Sequence, residues 1–321
     1  MLLKAQGGLV LGKNKYLSFV QTKPKKSRGY RFFKIGFFVL LVLHLGSLYI
    51  HWDYWIFRML ISQHYIFTDD LDTLYSQALG TENLRGHFVD FDRMVMAVVT
   101  ARIREINNDR YTYLYSPTQR QASIARQRET AQQVYFEALT AETGYLFVPN
   151  IGSYTRRFIA DNRATISQYP NLILDLRYNS GGMLMDFHQI ADLFVENNAI
   201  LGYEYTRLPF FTRQIRSNNP AYFNFDNVII LQNQNTASAA ESLILALQDN
   251  LDNVTTIGST TFGKAVGQVT IPLTGGSAIR GTVLLISGPN GETIHNIGIA
   301  PNIEHDGDDI LTYVLNLLED F

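Results

Sequence analysis

Residues 235–250 read N-T-A-S-A-A-E-S-L-I-L-A-L-Q-D-N, and residues 251–268 continue L-D-N-V-T-T-I-G-S-T-T-F-G-K-A-V-G-Q. Asn235 and Thr236 are helix-capping types, and Leu243, Ile244 and Leu247 recur at helical spacing, so the pattern predicts a helix with Ser238 in its first turn. Free N–H groups and the positive dipole end favour negative charge there. An oxyanion formed by attack of Ser238 on a carbonyl would be stabilised at that point, with the N–H of Ala239 as the nearest donor. The hydroxyl also needs a base, because its own pKa lies far above neutrality. Lys264 meets that need if burial beside Phe262 and Val266 lowers its pKa. Gln268, four residues on along a strand, would steady the amine. Taken alone, each residue has a plainer reading: a capping serine, and a surface lysine in a glycine turn.

The same stretch contains a decoy. Gly258 to Lys264 fits the phosphate-loop spacing G-x-x-x-x-G-K, but Ala265 stands where Ser or Thr should hold Mg²⁺. The segment after the lysine, A-V-G-Q-V-T-I-P-L, alternates like a strand and contains Pro272, whereas a phosphate loop must open a helix. Nucleotide binding gains no support.

Working upstream, N-L-I-L-D-L-R (171–177) has the continuous apolar core of a strand buried in a parallel sheet. Y-N-S-G-G comes next, and then a helical run from Met183. Further strands are expected at 144–149, 199–207 and 228–231, with helices at 153–168 and from Asp309. Repeated β-α-β order predicts an α/β domain with stacked right-handed crossovers. Asp175 and Arg177 read as an ion pair and Asn179 as a turn residue. Gly181 and Gly182 would let N–H groups converge on an anion opposite Ala239, although a glycine turn feeding a helix explains their spacing equally well.

Composition narrows the classes. A formal net charge of -2 without a basic face gives nucleic-acid binding no support. With no cysteine there is no disulfide framework, thiolate zinc site or cysteine nucleophile. His188, His295 and His305 form no zinc-type spacing, so neither metal nor cofactor is expected. A Ser-His-Asp triad stays open, since triads assemble across long separations.

Before Asp53 the chain has no acidic residue, and Lys13, Lys15, Lys23, Lys25, Lys26, Arg28, Arg31 and Lys34 make the first segment basic. The apolar run 32–50 is just long enough to span a bilayer, and Trp52, Tyr54 and Trp55 after it resemble an interfacial belt. This predicts a basic cytoplasmic segment over 1–34, a signal-anchor over 35–57 crossing the cell membrane once, and an extracytoplasmic remainder. A cleaved signal peptide and a buried helix are the rivals, and the long leader without an A-x-A-like site favours the anchor. His44 within the run reads as a packed residue. Two amphipathic helices are expected in 67–108, giving a helical subdomain over 67–120, then a polar linker over 121–143 and the main domain over 144–321.

Four motifs now stand in order: D-L-R-Y-N-S-G-G at 175–182, T-A-S-A-A-E at 236–241, T-F-G-K-A-V-G-Q at 261–268 and G-I-A-P-N-I at 298–303. This series resembles the C-terminal processing (tail-specific) peptidases of the S41 serine peptidase family. The resemblance implies a ClpP/crotonase-like fold, with Ser238 as nucleophile, Lys264 as general base and Gln268 orienting the lysine. Gly181, Gly182 and Ala239 fall on the oxyanion hole. D-R-Y-T-Y-L-Y-S-P-T-Q at 109–119 is similar to the segment that precedes the PDZ domain in these enzymes, and the short linker after it leaves no room for one. Ala265, Ala240 and Asn302 depart from the family pattern. The implied function is a membrane-anchored serine endopeptidase with a Ser-Lys dyad, acting on unfolded or C-terminal protein segments. A non-catalytic lipid- or peptide-binding module is the rival, because the same domain family includes retinoid-binding proteins. Retention of Ser238, Lys264 and Gln268 together argues against it.

Overall fold

The computed structural model describes residues 28–67 and 91–319, and its contacts divide the chain into two units, Met1–Trp52 and Asp53–Phe321. The first unit contributes α1 (Arg28–Ile50). Its segment Gly29–Tyr49 is long and apolar enough to cross a membrane and has no buried part. This apolar helix begins and ends earlier than the 35–57 expected for an anchor. α2 (Trp52–Met59) carries Asp53 and Arg58 and sends Phe57 into a core, while Trp52, Trp55 and Met59 stay exposed. The leader over 1–27 and the helix expected at 71–79 lie outside the described residues.

A sheet of six strands organises the second unit, in the order β11-β8-β7-β4-β3-β2. In chain order these are β2 (Tyr135–Ala138), β3 (Thr143–Phe147), β4 (Asn171–Asp175), β7 (Asn227–Gln232), β8 (Val254–Gly258) and β11 (Ile303–Glu304). β2 runs antiparallel to β3 and every other pair is parallel. Successive side chains of a strand face opposite ways, and here both faces are covered. Leu172, Leu174, Val228 and Ile230 meet one core, while Ile173, Ile229 and Leu231 meet another. The first core is roofed by α5 (Ser153–Ile166), α6 (Leu184–Ala191) and α7 (Ala239–Asn250), and the second by the C-terminal α8 (Ile310–Glu319). Two-sided burial explains why N-L-I-L-D lacks polar alternation.

α7 is apolar nearly all round because it is wedged between layers, packing on α6, on β8 and on β5 (Ile200–Thr206) of a second sheet. That sheet is antiparallel. Its central strand, β10 (Ala278–Ser287), pairs along one edge with β9 (Val266–Pro272) and along the other with β1 (Tyr113–Tyr115) and β5. β5 continues to β6 (Arg213–Arg216). α2, the π-helical turn Leu60–His64 and α3 (Phe91–Ile106) pack on it through Phe57, Leu60, Ile61, Met96, Val99 and Ile103.

Two expected boundaries change. The stretch read as a helical subdomain over 67–120 also supplies β1 of the second sheet. The stretch read as a linker over 121–143 forms α4 (Pro117–Ala131) and β2, so the main sheet begins before residue 144. α4 opens with a reciprocal cap, in which Gln119 N–H donates to Ser116 Oγ and Ser116 N–H donates to Gln119 Oε1. β2 is an outer strand whose side chains are mostly exposed, and its polar sequence therefore lacked the apolar signal of a buried strand.

Candidate active site

Residues 233–237 connect β7 to α7 through a turn tied at every step. Asn235 N–H and Tyr178 N–H both donate to Asn233 Oδ1, at 3.0 and 3.1 Å. Thr236 Oγ1 donates to the Leu176 carbonyl at 2.9 Å, and Ala237 N–H donates to the Asn179 carbonyl at 2.8 Å. The turn ends on Ser238, the N-cap of α7, with φ 59° and ψ -122°, in a left-handed region that residues other than glycine seldom occupy. A sharp strand-to-helix turn of this kind pushes a serine hydroxyl outward at the head of the helix.

Gly181 and Gly182 face it. Gly181 has φ +92°, and a Cβ there would stand 2.7 Å from Ser238 Cβ and 2.9 Å from Ala239 N. A Cβ on Gly182 would stand 1.7 Å from the Ile151 carbonyl oxygen. Only glycine fits either position. The Gly181 N–H is already used, donating to Asn179 Oδ1 at 2.9 Å. Among the described residues, the N–H groups of Gly182 and Ala239 carry no intramolecular hydrogen bond. The available donor pair is thus Gly182 with Ala239, and Gly181 supplies close approach rather than an N–H. Asn179 is the buried bracket of this loop, since its Nδ2 also donates to the Val148 carbonyl at 2.8 Å. Beneath it, Asp175 accepts from Tyr145 Oη at 2.6 Å and from the Arg177 guanidinium, confirming the expected ion pair. The bond to Asp175 raises the pKa of Arg177, while burial and the same carboxylate raise that of Tyr145.

Lys264 lies just before β9, after Gly263, whose φ is +82° and where a Cβ would stand 2.7 Å from Gly298 N. One carboxylate joins this loop to the serine. Glu241, fully buried in the first turn of α7, accepts from Ser238 N–H at 2.7 Å, Gly263 N–H at 2.7 Å, Lys264 N–H at 2.9 Å and Thr261 Oγ1 at 2.6 Å. Burying a carboxylate is tolerable when its lone pairs are filled in this way. The clue lay in the sequence: Ser238-x-x-Glu241 is a capping-box spacing.

The lysine amine sits against Tyr111, its Nζ 4.9 Å from the ring centroid. Burial, with Arg280 nearby as a second cause, pushes its pKa from 10.5 down to about 8, while Glu241 and Asp109 oppose the shift. Among the described residues Nζ has no hydrogen bond or ion pair. Gln268 is not brought to it: Gln268 Nε2 donates to the Val266 carbonyl at 3.0 Å and its Oε1 accepts from Arg280 Nη2 at 3.3 Å. Tyr111 itself is held by Asp109, a buried carboxylate that accepts from Tyr111 N–H, Tyr65 Oη, Thr112 Oγ1 and Thr282 Oγ1. No periodicity in the sequence pointed to this clasp. Neither His188 nor His295 hydrogen-bonds Ser238. His188 lies 3.6 Å from Glu204 on β5, and burial lowers the pKa of both histidines.

The arrangement is that of an α/β protein presenting a serine on a strand-to-helix turn beside free backbone donors. The comparison with family models makes the class specific: Peptidase family S41 matches residues 142–305, and the chain belongs to that family. It is similar to the carboxyl-terminal-processing protease of Synechocystis sp., 38% identical over 130 residues, which are 40% of this chain and 30% of that one. It is also similar to the carboxy-terminal processing protease of Bacillus subtilis, 29% identical over 185 residues, 57% of this chain and 39% of the relative. The matches therefore span well under half the length of these curated relatives. A solved lipoprotein from Streptococcus agalactiae shares the fold, with TM-score 0.64 at 18% identity, covering 84% of this chain and 96% of that one.

Proposed function

We propose that this protein is a membrane-anchored serine endopeptidase whose site faces away from the cytoplasm and acts on unfolded or C-terminal segments of proteins. The observation that carries the reading is the Glu241 carboxylate, which ties the Ser238 N-cap to the backbone of a lysine whose amine is largely desolvated. In this reading Ser238 Oγ attacks the scissile carbonyl while neutral Lys264 takes its proton. The developing oxyanion is met by the Gly182 and Ala239 N–H groups, and protonated Lys264 returns its proton to the leaving amine. Water, deprotonated by the same amine, then releases the acyl group from Ser238. The amine rests on the Tyr111 ring, so substrate binding must bring it onto the serine. Catalytic hydrogen bonds are often long or unmade before the substrate is present.

The anchor reading rests on α1, whose apolar length matches a bilayer, and on the basic leader before it. An extended segment could pair with a sheet edge near the site, a mode that recognises main chain and tolerates varied sequence. To test the activity, the full chain in lipid is incubated with a disordered protein alongside Ser238→Ala. Cleavage by the wild type alone is expected, and equal cleavage by both would remove the proposal.

A further inference from the structure

Away from Ser238 and Lys264, two exposed apolar features share one mount. On α2 and the turn after it, the inward residues Phe57, Leu60 and Ile61 are buried, whereas Trp55 and Met59, one turn apart, stand 42% and 38% exposed. The Arg58 guanidinium lies over the Trp55 ring, 5.6 Å from its centroid. The second feature is the tip between β5 and β6, a single 3₁₀ turn, Pro209–Phe211. Phe210 there is 91% exposed and Phe211 55%, their rings meeting edge-on at 5.3 Å. Taking a phenylalanine ring out of water is favourable, so a bare ring at a protruding tip calls for a partner.

The two features are fixed to the same frame. Arg207, at the foot of the tip, donates from Nη1 to the Ser62 carbonyl at 2.7 Å, just beyond α2. At the other end of α2, Asp53 accepts from Thr274 N–H and Thr274 Oγ1 at 2.8 and 2.6 Å. Charge around them is basic. Arg58 and Arg207 flank the aromatics, Arg213 at the foot of the tip is paired with the buried Glu204 at 2.7 Å, and the acid of α2, Asp53, is turned to Thr274. The chain reaches α2 directly from α1, because Ile50 ends one helix and Trp52 begins the next. At about 3.5 Å per residue, no more than about 20 Å of chain separates Ile50 from Trp55.

We infer that the tip Leu208–Phe211, together with Trp55 and Met59, is a lipid-contacting surface that enters the headgroup zone of an anionic bilayer. Aromatic rings settle at that boundary, and flanking arginines pair with anionic headgroups. A convex tip suits a deformable lipid surface better than a preformed protein groove. The inference rests on α1 being an anchor, and it adds a second, non-covalent hold that stops the unit swivelling about its tether.

The chain has no cysteine, so a single environment-sensitive label can be placed at will. In the full chain, Leu208→Cys is labelled and reconstituted into phosphatidylcholine–phosphatidylglycerol vesicles with brominated acyl chains, with Ile124→Cys on exposed α4 as the reference position. A blue shift and bromine quenching at 208 but not at 124, both lost when Phe210→Ser and Phe211→Ser are added, is the expected result. A label at 208 as wet as that at 124 overturns the inference. So does a shielded label that bromine leaves unquenched, which would assign the tip to a protein contact. Carbonate extraction reads the anchor separately: a chain released by carbonate would sink the anchor, while quenching at 208 still decides the tip.

Discussion

Changing pH from about 6 to about 10 reads Lys264 more directly than any substitution. Burial, reinforced by Arg280, brings its amine from 10.5 down to about 8. A fall of that size raises the neutral fraction near pH 7 roughly 300-fold, at a factor of ten per unit. In the proposed mechanism kcat/KM follows neutral amine, so it should rise about tenfold per pH unit up to an acid limb near 8 and then level off. The assay is cleavage of an unstructured fluorogenic peptide by the full chain, with Arg280→Met measured alongside. Arg280 is a cation that disfavours a second cation beside it, so its removal favours the ammonium and must move the limb to higher pH. Burial alone then holds the value below 10.5. A wild-type limb at the ordinary lysine value, or a limb that stays fixed in Arg280→Met, would refute the assignment of Lys264 as base.

Three further outcomes rest on the same geometry. Lys264→Ala should lose about a hundredfold to ten-thousandfold in kcat with the thermal midpoint little changed, since acid–base catalysis supplies that much; a midpoint collapse without specific loss of turnover would count against it. Glu241→Gln leaves one acceptor oxygen for four buried donors, so urea denaturation should show a loss of about 2–4 kcal/mol together with lost activity, and stability within about 0.5 kcal/mol of wild type would refute the clasp. Gly182→Ala must move the Ile151 carbonyl by more than an ordinary core adjustment, and a cost above about 1–3 kcal/mol is expected; a well-folded, active alanine variant would contradict the close packing of that loop.

Much of this is legible in the sequence. The apolar run 171–175 reads as a doubly buried strand because it is one, and the capping residues before α7 place Ser238 correctly at the helix head. The Asp175–Arg177 pair and the two glycines opposite the serine are also local in pattern. Failures came where the determining contact is remote. β1 and β2 are short margin strands without a buried apolar run, so the sequence pattern does not set them apart. Gln268 has the right strand spacing from Lys264, yet Arg280 on the neighbouring strand claims its amide oxygen. Gly181 is the local exception, since the Asn179 side chain two residues earlier takes its N–H. The Tyr111–Lys264 contact joins the start of the second sheet to the loop before β9, and periodicity carries no information about such pairs.

The backbone angles of Ser238 carry a thermodynamic consequence. A residue with a side chain held in so sparsely populated a region stores strain of about 1–3 kcal/mol. Glycine would relax there at no steric expense, and the surrounding turn would lose none of its bonds, which run through main chain and neighbouring side chains. Removing the hydroxyl by Ser238→Gly should therefore make the folded chain sturdier while, in the proposed mechanism, it abolishes cleavage. The tension is kept at the point where a lone oxygen has to stand clear of its helix.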